Sequence, residues 1–186
     1  MSILQVADYQ AGKIRTYTGL IVDLMRPTAD MICVEDISMG LANVCRFGGQ
    51  IGKHYSVALH SLLVMQLAQP ELSRYAIIHD ASEAYLGDVV RPLKHIIGEK
   101  YALIEDRWMH EICAKYGLCF SHLEAIKRYD GQALQMEHKY LQLGDRESKE
   151  AMYFGSFLER FKGKSTRTIA GIFEHNFENV FSKKEI

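Results

Sequence analysis

Apolar positions recur along this chain mostly at helical spacing. Between Glu35 and Phe47, Ile37, Leu41 and Val44 share one face, and Glu35 and Asp36 sit in the first turn, where the helix dipole favours acids. The glycines after Arg46-Phe47 close that helix with a flexible exit. From Ser56 to Gln69 the stripe is Val57, His60, Leu63, Val64 and Leu67, with Ser56 as N-cap, so His60 points into the core. Pro70 opens a third helix that runs to about Leu86. A short helix over Arg91–Ile97 precedes a long one over Glu99–Tyr116, which turns Ile104, Trp108, Ile112 and Cys113 inward and stops at Gly117. Ser121-His122-Leu123-Glu124 reads as a capping box that starts a further helix near His122. Its inner face carries Leu123, Ile126, Asp130, Glu137 and Leu141. Ser165 caps a last helix with a stripe of Ile169, Ile172, Phe173, Phe177 and Val180. Only near the N-terminus does the pattern change. Lys13–Thr18 and Leu20–Leu24, split by Gly19 and ended by Pro27, read as a small β-hairpin. Residues 144–164 show no usable period. The expected fold is an all-α helical bundle with a small N-terminal hairpin, in a single domain over residues 1–186.

One apolar run breaks abruptly into charge. Ala76-Ile77-Ile78 is followed at once by His79-Asp80, then Glu83, Asp88, Arg91 and Lys94. Ionisable groups directly after a buried run must be paired, protonated or metal-bound, because a bare buried charge is too costly. If helix continues through this run, Glu83 lies one turn beyond His79 and Asp80 on the same side. Three helices then each bring a metal-competent residue inward: His60, the His79-Asp80 pair and Asp130. A lone inward histidine is ordinarily a satisfied core residue. Three such coincidences point to one shared site. Two imidazoles and two carboxylates suit one borderline or hard divalent ion (Co²⁺, Mn²⁺, Mg²⁺ or Zn²⁺), with positions left open for water and a substrate oxygen.

Composition narrows the setting. The chain has 186 residues, 48% hydrophobic and 24% charged, with a net charge of −1, which argues against a nucleic-acid polymer as partner. Cys33, Cys45, Cys113 and Cys119 include no Cys-x-x-Cys pair, so neither a structural zinc nor a disulfide framework is expected. No signal-peptide pattern and no membrane-length apolar run occur. The expectation is a cytoplasmic protein with no membrane partner.

The ordered set His60, His79-Asp80, Asp130 resembles the H…HD…D signature of the HD-domain metal-dependent phosphohydrolases. The flanks extend the resemblance. HDASEAYLGD at 79–88, followed by RPLK at 91–94, is similar to the small bacterial 5′-deoxynucleotidases and the phage dATP triphosphohydrolases. NVCRFGG and YSVALHS, upstream, resemble the segment that leads to the first metal histidine in the same group. The match covers about residues 35–141. Leu59 departs from it: many relatives carry Glu or Gln there, so support around His60 is expected to be looser.

The resemblance implies that His60, His79, Asp80 and Asp130 hold the metal and that Glu83 and Asp88 are catalytic, Glu83 beside the attacking water and Asp88 at the sugar. It implies Arg46, Lys94 and Lys127 at phosphate and Phe47 near sugar and base. Lys127 also lies one helical turn before Asp130. Plain alternatives exist: surface charge for Lys94 and Lys127, core packing for Phe47. Glu137, two turns past Asp130, either supports the site or forms a salt bridge. His54 could reach phosphate. The expected substrate is a deoxynucleotide, cleaved to release phosphate or triphosphate. The alternatives are a phosphodiesterase acting on a cyclic or signalling nucleotide, and a non-catalytic metal-stabilised nucleotide-binding module. Phe47 against the 2′ face would disfavour a ribose hydroxyl by roughly 1–3 kcal/mol, and Gly48-Gly49 leave room for a purine. A homo-oligomer is expected, with the last helix covering either the core or a neighbouring subunit.

Overall fold

The computed structural model describes residues 12–182; the start of the chain, read above as free of a signal-peptide pattern, lies partly outside them. Helices dominate. The hairpin pairs β1 (Lys13–Arg15) antiparallel with β2 (Ile21–Asp23), with Ile14 opposite Val22. Its turn is tied to the first helix, α1 (Val34–Asn43): Asp36 accepts from the Thr18 backbone N–H at 2.7 Å and from its hydroxyl at 2.9 Å. The acid expected to serve the helix dipole therefore docks the hairpin.

α2 (Val57–Leu67) is buried over nearly its whole length, and Ser56 caps it by accepting from the Leu59 N–H at 3.3 Å. The expected third helix is broken. A 3-10 turn over Pro70–Leu72 leads into α3 (Ser73–Ile78), the helix lapses at His79–Ser82, and α4 (Glu83–Leu86) follows. α5 (Arg91–Ile97) and α6 (Glu99–Lys115) lie where expected, divided by Gly98 at φ 74°. Trp108 of α6 is fully buried, stacks on Tyr85 at 4.1 Å, and donates its indole N–H to the Leu24 carbonyl at 3.0 Å.

The capping box does not start a helix. Phe120–Ile126 is 3-10, and α7 (Lys127–Glu137) begins only at Lys127 before running into a π turn over His138–Gln142. The intended capping groups are engaged elsewhere. Ser121 Oγ lies 3.1 Å from Cys119 Sγ, and Glu124 pairs with Lys127 at 2.6 Å. The unread stretch contains α8 (Lys149–Glu159), capped by Ser148, whose Phe154 and Phe157 join the core. α9 (Thr166–Ser182) starts at the expected cap, where Ser165 Oγ accepts from the Thr168 N–H at 3.1 Å. Ile169, Phe173 and Phe177 are buried in the same core as α1 and α2, so the stripe covers this chain's own interior and not a neighbouring subunit. Among the described residues no helix is long and apolar enough to cross a membrane.

Candidate metal centre

Three elements meet at one point. α2 supplies His60, the break after α3 supplies His79 and Asp80, and α7 supplies Asp130. His60 Nε2 lies 3.2 Å from His79 Nε2, 3.1 Å from Asp130 Oδ1 and 3.5 Å from Asp80 Oδ2. Asp80 Oδ2 is 3.2 Å from His79 Nε2. His60, His79 and Asp130 each offer an atom within 4.8 Å of the others. Asp80 lies outside that trio, and the same oxygen is 3.7 Å from the Arg46 guanidinium. Ligand atoms about 2.1 Å from a common ion are separated by roughly 3.0–3.4 Å along the edges of an octahedron or tetrahedron. The contacts of His60 Nε2 with His79 and Asp130 have that spacing.

The rings are oriented from behind. His60 Nδ1 lies 2.6 Å from Glu137 Oε1, and His79 Nδ1 lies 2.8 Å from the Ala76 carbonyl. Each Nδ1–H therefore donates outward, which leaves both Nε2 lone pairs facing each other and the two carboxylates. Four lone-pair donors so close repel unless a cation or a proton lies among them. With a proton in that role, His60 is raised to about 9. Burial and Arg46 push it down, but the Glu137 charge and the bond to Asp130 outweigh them. Asp80 is held far below the ordinary carboxylate range, because His79, His60 and Arg46 overcome the opposing effect of burial. The donor set fits a divalent ion.

Glu137 is the residue that sequence reasoning left undecided. It is fully buried, takes His60 on one oxygen, and also accepts from the Tyr55 hydroxyl at 2.8 Å and from Arg46 Nε at 3.1 Å. His60 is thus supported from α7, and the apolar Leu59 beside it costs the ring no partner. Tyr55 gave no signal of its own beyond preceding a capped helix.

Two clefts open onto this centre, of about 550 and 470 Å³, sharing Asp80, Lys94 and Asp130. Glu83, Asp88, Arg46 and Phe47 line the second. Glu83 is buried; Oε1 is 3.5 Å from Lys94 Nζ and Oε2 has no partner. Burial, Asp80 and Asp88 together push its carboxyl well above the usual range. Burial likewise raises Asp88, with Arg46 opposing. Lys94 is held mainly by Glu105 at 2.7 Å. Lys127 lines the first cleft beside Asp130, but its side chain is 73% exposed and paired with Glu124. His54 lines a separate cleft with Lys53 and Lys162, apart from the two that open onto the centre.

The loop carrying Arg46 differs from the expected helix end. α1 stops at Asn43, Cys45 bridges to Ser56, and Arg46–Gly49 forms a tight turn. Phe47 sits there at φ 59°, in the left-handed region, and is the one non-glycine residue with positive φ among those described. An L-residue in that region costs about 1–2 kcal/mol. The turn is held from both sides, by Arg46 on Glu137 and by the Arg46 N–H on the Tyr55 carbonyl at 2.9 Å.

The chain is 36% identical over 132 residues to the uncharacterized protein YfdR of Escherichia coli (strain K12), covering 71% of this chain and 74% of that one. It belongs to the YfdR family. A second relative, the uncharacterized protein RCAP_rcc00048 of Rhodobacter capsulatus, is 42% identical over 113 residues, covering 56% of this chain and 58% of its own length. No family model matches the chain. Membership in the YfdR family brings no activity with it, so the chemistry rests on the site.

Proposed function

We propose that this chain is a metal-dependent phosphohydrolase of the HD-domain type, acting on deoxynucleotides. The observation that carries the reading is the convergence of His79, Asp80 and Asp130 on the buried His60, beside a partnerless oxygen of Glu83. A divalent ion held by those four residues supplies Lewis acidity towards a phosphoryl oxygen. The chain's own groups do the rest. Glu83 lines the cleft with one carboxylate oxygen left without a partner, and its role is to orient the attacking water and accept its proton. Arg46 and Lys94, braced by Glu137 and Glu105, present cations whose positions are already fixed, which favours charge developing on the transferred group. Asp88 accepts from a sugar hydroxyl, and the Phe47 ring packs on the 2′ face. Such substrates place the reaction in the cytoplasm.

The test is release of phosphate or tripolyphosphate from dAMP and dATP with Mn²⁺, Co²⁺ or Mg²⁺. Hydrolysis should stop on chelation and return with metal. A fully metallated protein that cleaves none of the deoxynucleoside mono-, di- or triphosphates would instead be a metal-stabilised binding module.

A further inference from the structure

Tyr55 is fully buried between the Arg46 turn and α2, and three elements meet on it. Its carbonyl accepts the Arg46 N–H at 2.9 Å. Its ring stands edge-on to Phe154 of α8, with centroids 5.4 Å apart. Its hydroxyl donates to Glu137 Oε1 of α7 at 2.8 Å. Packing the ring and seating the turn need no hydroxyl, and phenylalanine would serve for both. A buried O–H is costly to keep without a use. Burial and the Glu137 charge raise this phenol well above its ordinary value, so the group keeps its proton and stays a donor.

The use lies in how Glu137 divides its two oxygens. Oε1 holds His60 Nδ1 at 2.6 Å and the Tyr55 hydroxyl. Oε2 takes Arg46, with Nε and Nη2 each 3.1 Å away. A guanidinium and a carboxylate left to themselves form a fork, one nitrogen on each oxygen. That arrangement would draw Oε1 off His60 and onto Arg46. The imidazole and the guanidinium thus compete for one carboxylate, and the guanidinium carries the full charge. Tyr55 adds a second bond on the imidazole's side. Solvent cannot stand in for it, because Glu137, His60 and Tyr55 are all fully buried.

We propose, resting on the phosphohydrolase reading and its metal centre, that Tyr55 is a positioning residue: its hydroxyl keeps Glu137 Oε1 on His60 and out of the Arg46 fork, and so holds the His60 ring on the ion. Arg46 then keeps Nη1, the nitrogen 3.7 Å from Asp80 Oδ2, for the cleft.

Tyr55→Phe removes the hydroxyl and keeps the ring. Co²⁺ affinity, read by chelator competition, should fall by about tenfold. Turnover lost at low Co²⁺ should return at saturating Co²⁺, which removal of a catalytic group would not permit. In a Glu137→Gln background the same substitution should cost little more, because the two side chains act as one unit. Unchanged Co²⁺ affinity in a folded Tyr55→Phe protein overturns the proposal. So does an equal loss with and without the Glu137 carboxylate, which would make the effect one of general packing. A Tyr55-dependent Co²⁺ affinity in a protein that hydrolyses no nucleotide supports the role of Tyr55 and counts against the phosphohydrolase reading. One further readout needs neither metal nor substrate. In the metal-free protein the His60 Nδ1–H, followed by ¹⁵N-edited NMR, should exchange with solvent about tenfold faster in Tyr55→Phe. If the wild type binds no divalent ion, the metal centre itself falls, and this rate decides alone whether Tyr55 holds Glu137 on His60: an unchanged rate overturns it.

Discussion

His60 uses its two ring nitrogens for opposite ends of the site. Nε2 faces the other donors, and Nδ1 is fixed by a carboxylate that also holds Tyr55 and Arg46. Glu137→Gln keeps an acceptor but removes the charge, and should weaken metal binding by about 10–100-fold; a chelator competition titration reads this directly. His79→Ala removes one of two imidazoles, so metal content and turnover should vanish together. Elemental analysis showing a full complement of metal in that variant would remove His79 from the ligand set. Glu83→Gln keeps size and takes away the proton acceptor. Turnover should fall by about 10²–10⁴-fold with metal content unchanged. Near-normal turnover would mean that another group activates the water. Phe47 is held at φ 59° although any glycine would occupy that turn with less strain, which points to a use for its ring. Phe47→Ala should bring kcat/KM for dATP and ATP towards equality; a wild-type preference that survives the substitution belongs to some other residue.

At the scale of elements, the break between α3 and α4 matters most. A continuous helix would have put Glu83 one turn past His79 on the same side. Instead the chain turns at His79–Ser82, and Glu83 reaches the cleft from the start of a separate short helix. What places that helix is α1, through Gly40. A Cβ built on Gly40 would lie 2.8 Å from both the Cβ and the carbonyl oxygen of Ala84, directly after Glu83. Gly40→Ala adds about 1 kcal/mol of helix propensity but presses on backbone, where overpacking costs about 1–3 kcal/mol. The clash should win. Tm should drop, and kcat should drop further than unfolding explains, because Glu83 moves with Ala84. An equal Tm with full activity would show that α4 is not seated by this contact. The failed capping box teaches the same lesson. Ser121 and Glu124 have the right types at the right spacing, yet Cys119 and Lys127 take them first.

Across the whole molecule, α9 closes the core: Phe173 is fully buried, and Phe177 meets Tyr116 at 4.8 Å. Phe173→Ala should cost about 3–5 kcal/mol in a denaturant melt; a loss below 1 kcal/mol would mean that α9 packs loosely. Helical period in the sequence was enough for the bundle and for α6 and α9, because a stripe can be buried on only one side; it also turned His60 inward, although α2 is in fact buried on every side. It was enough, too, to bring His79-Asp80 under suspicion, since charge directly after a buried run needs a partner. It could not supply what depends on distant residues meeting. Glu137 under His60 spans 77 positions and Tyr55 on Glu137 spans 82. The strained turn at Phe47, the early start of the 3-10 segment before α7, and the pairing that occupies Arg46, Lys94 and Lys127 were likewise decided by competition for partners in the folded chain. Periodicity records which face is buried; only packing decides which polar groups find one another there.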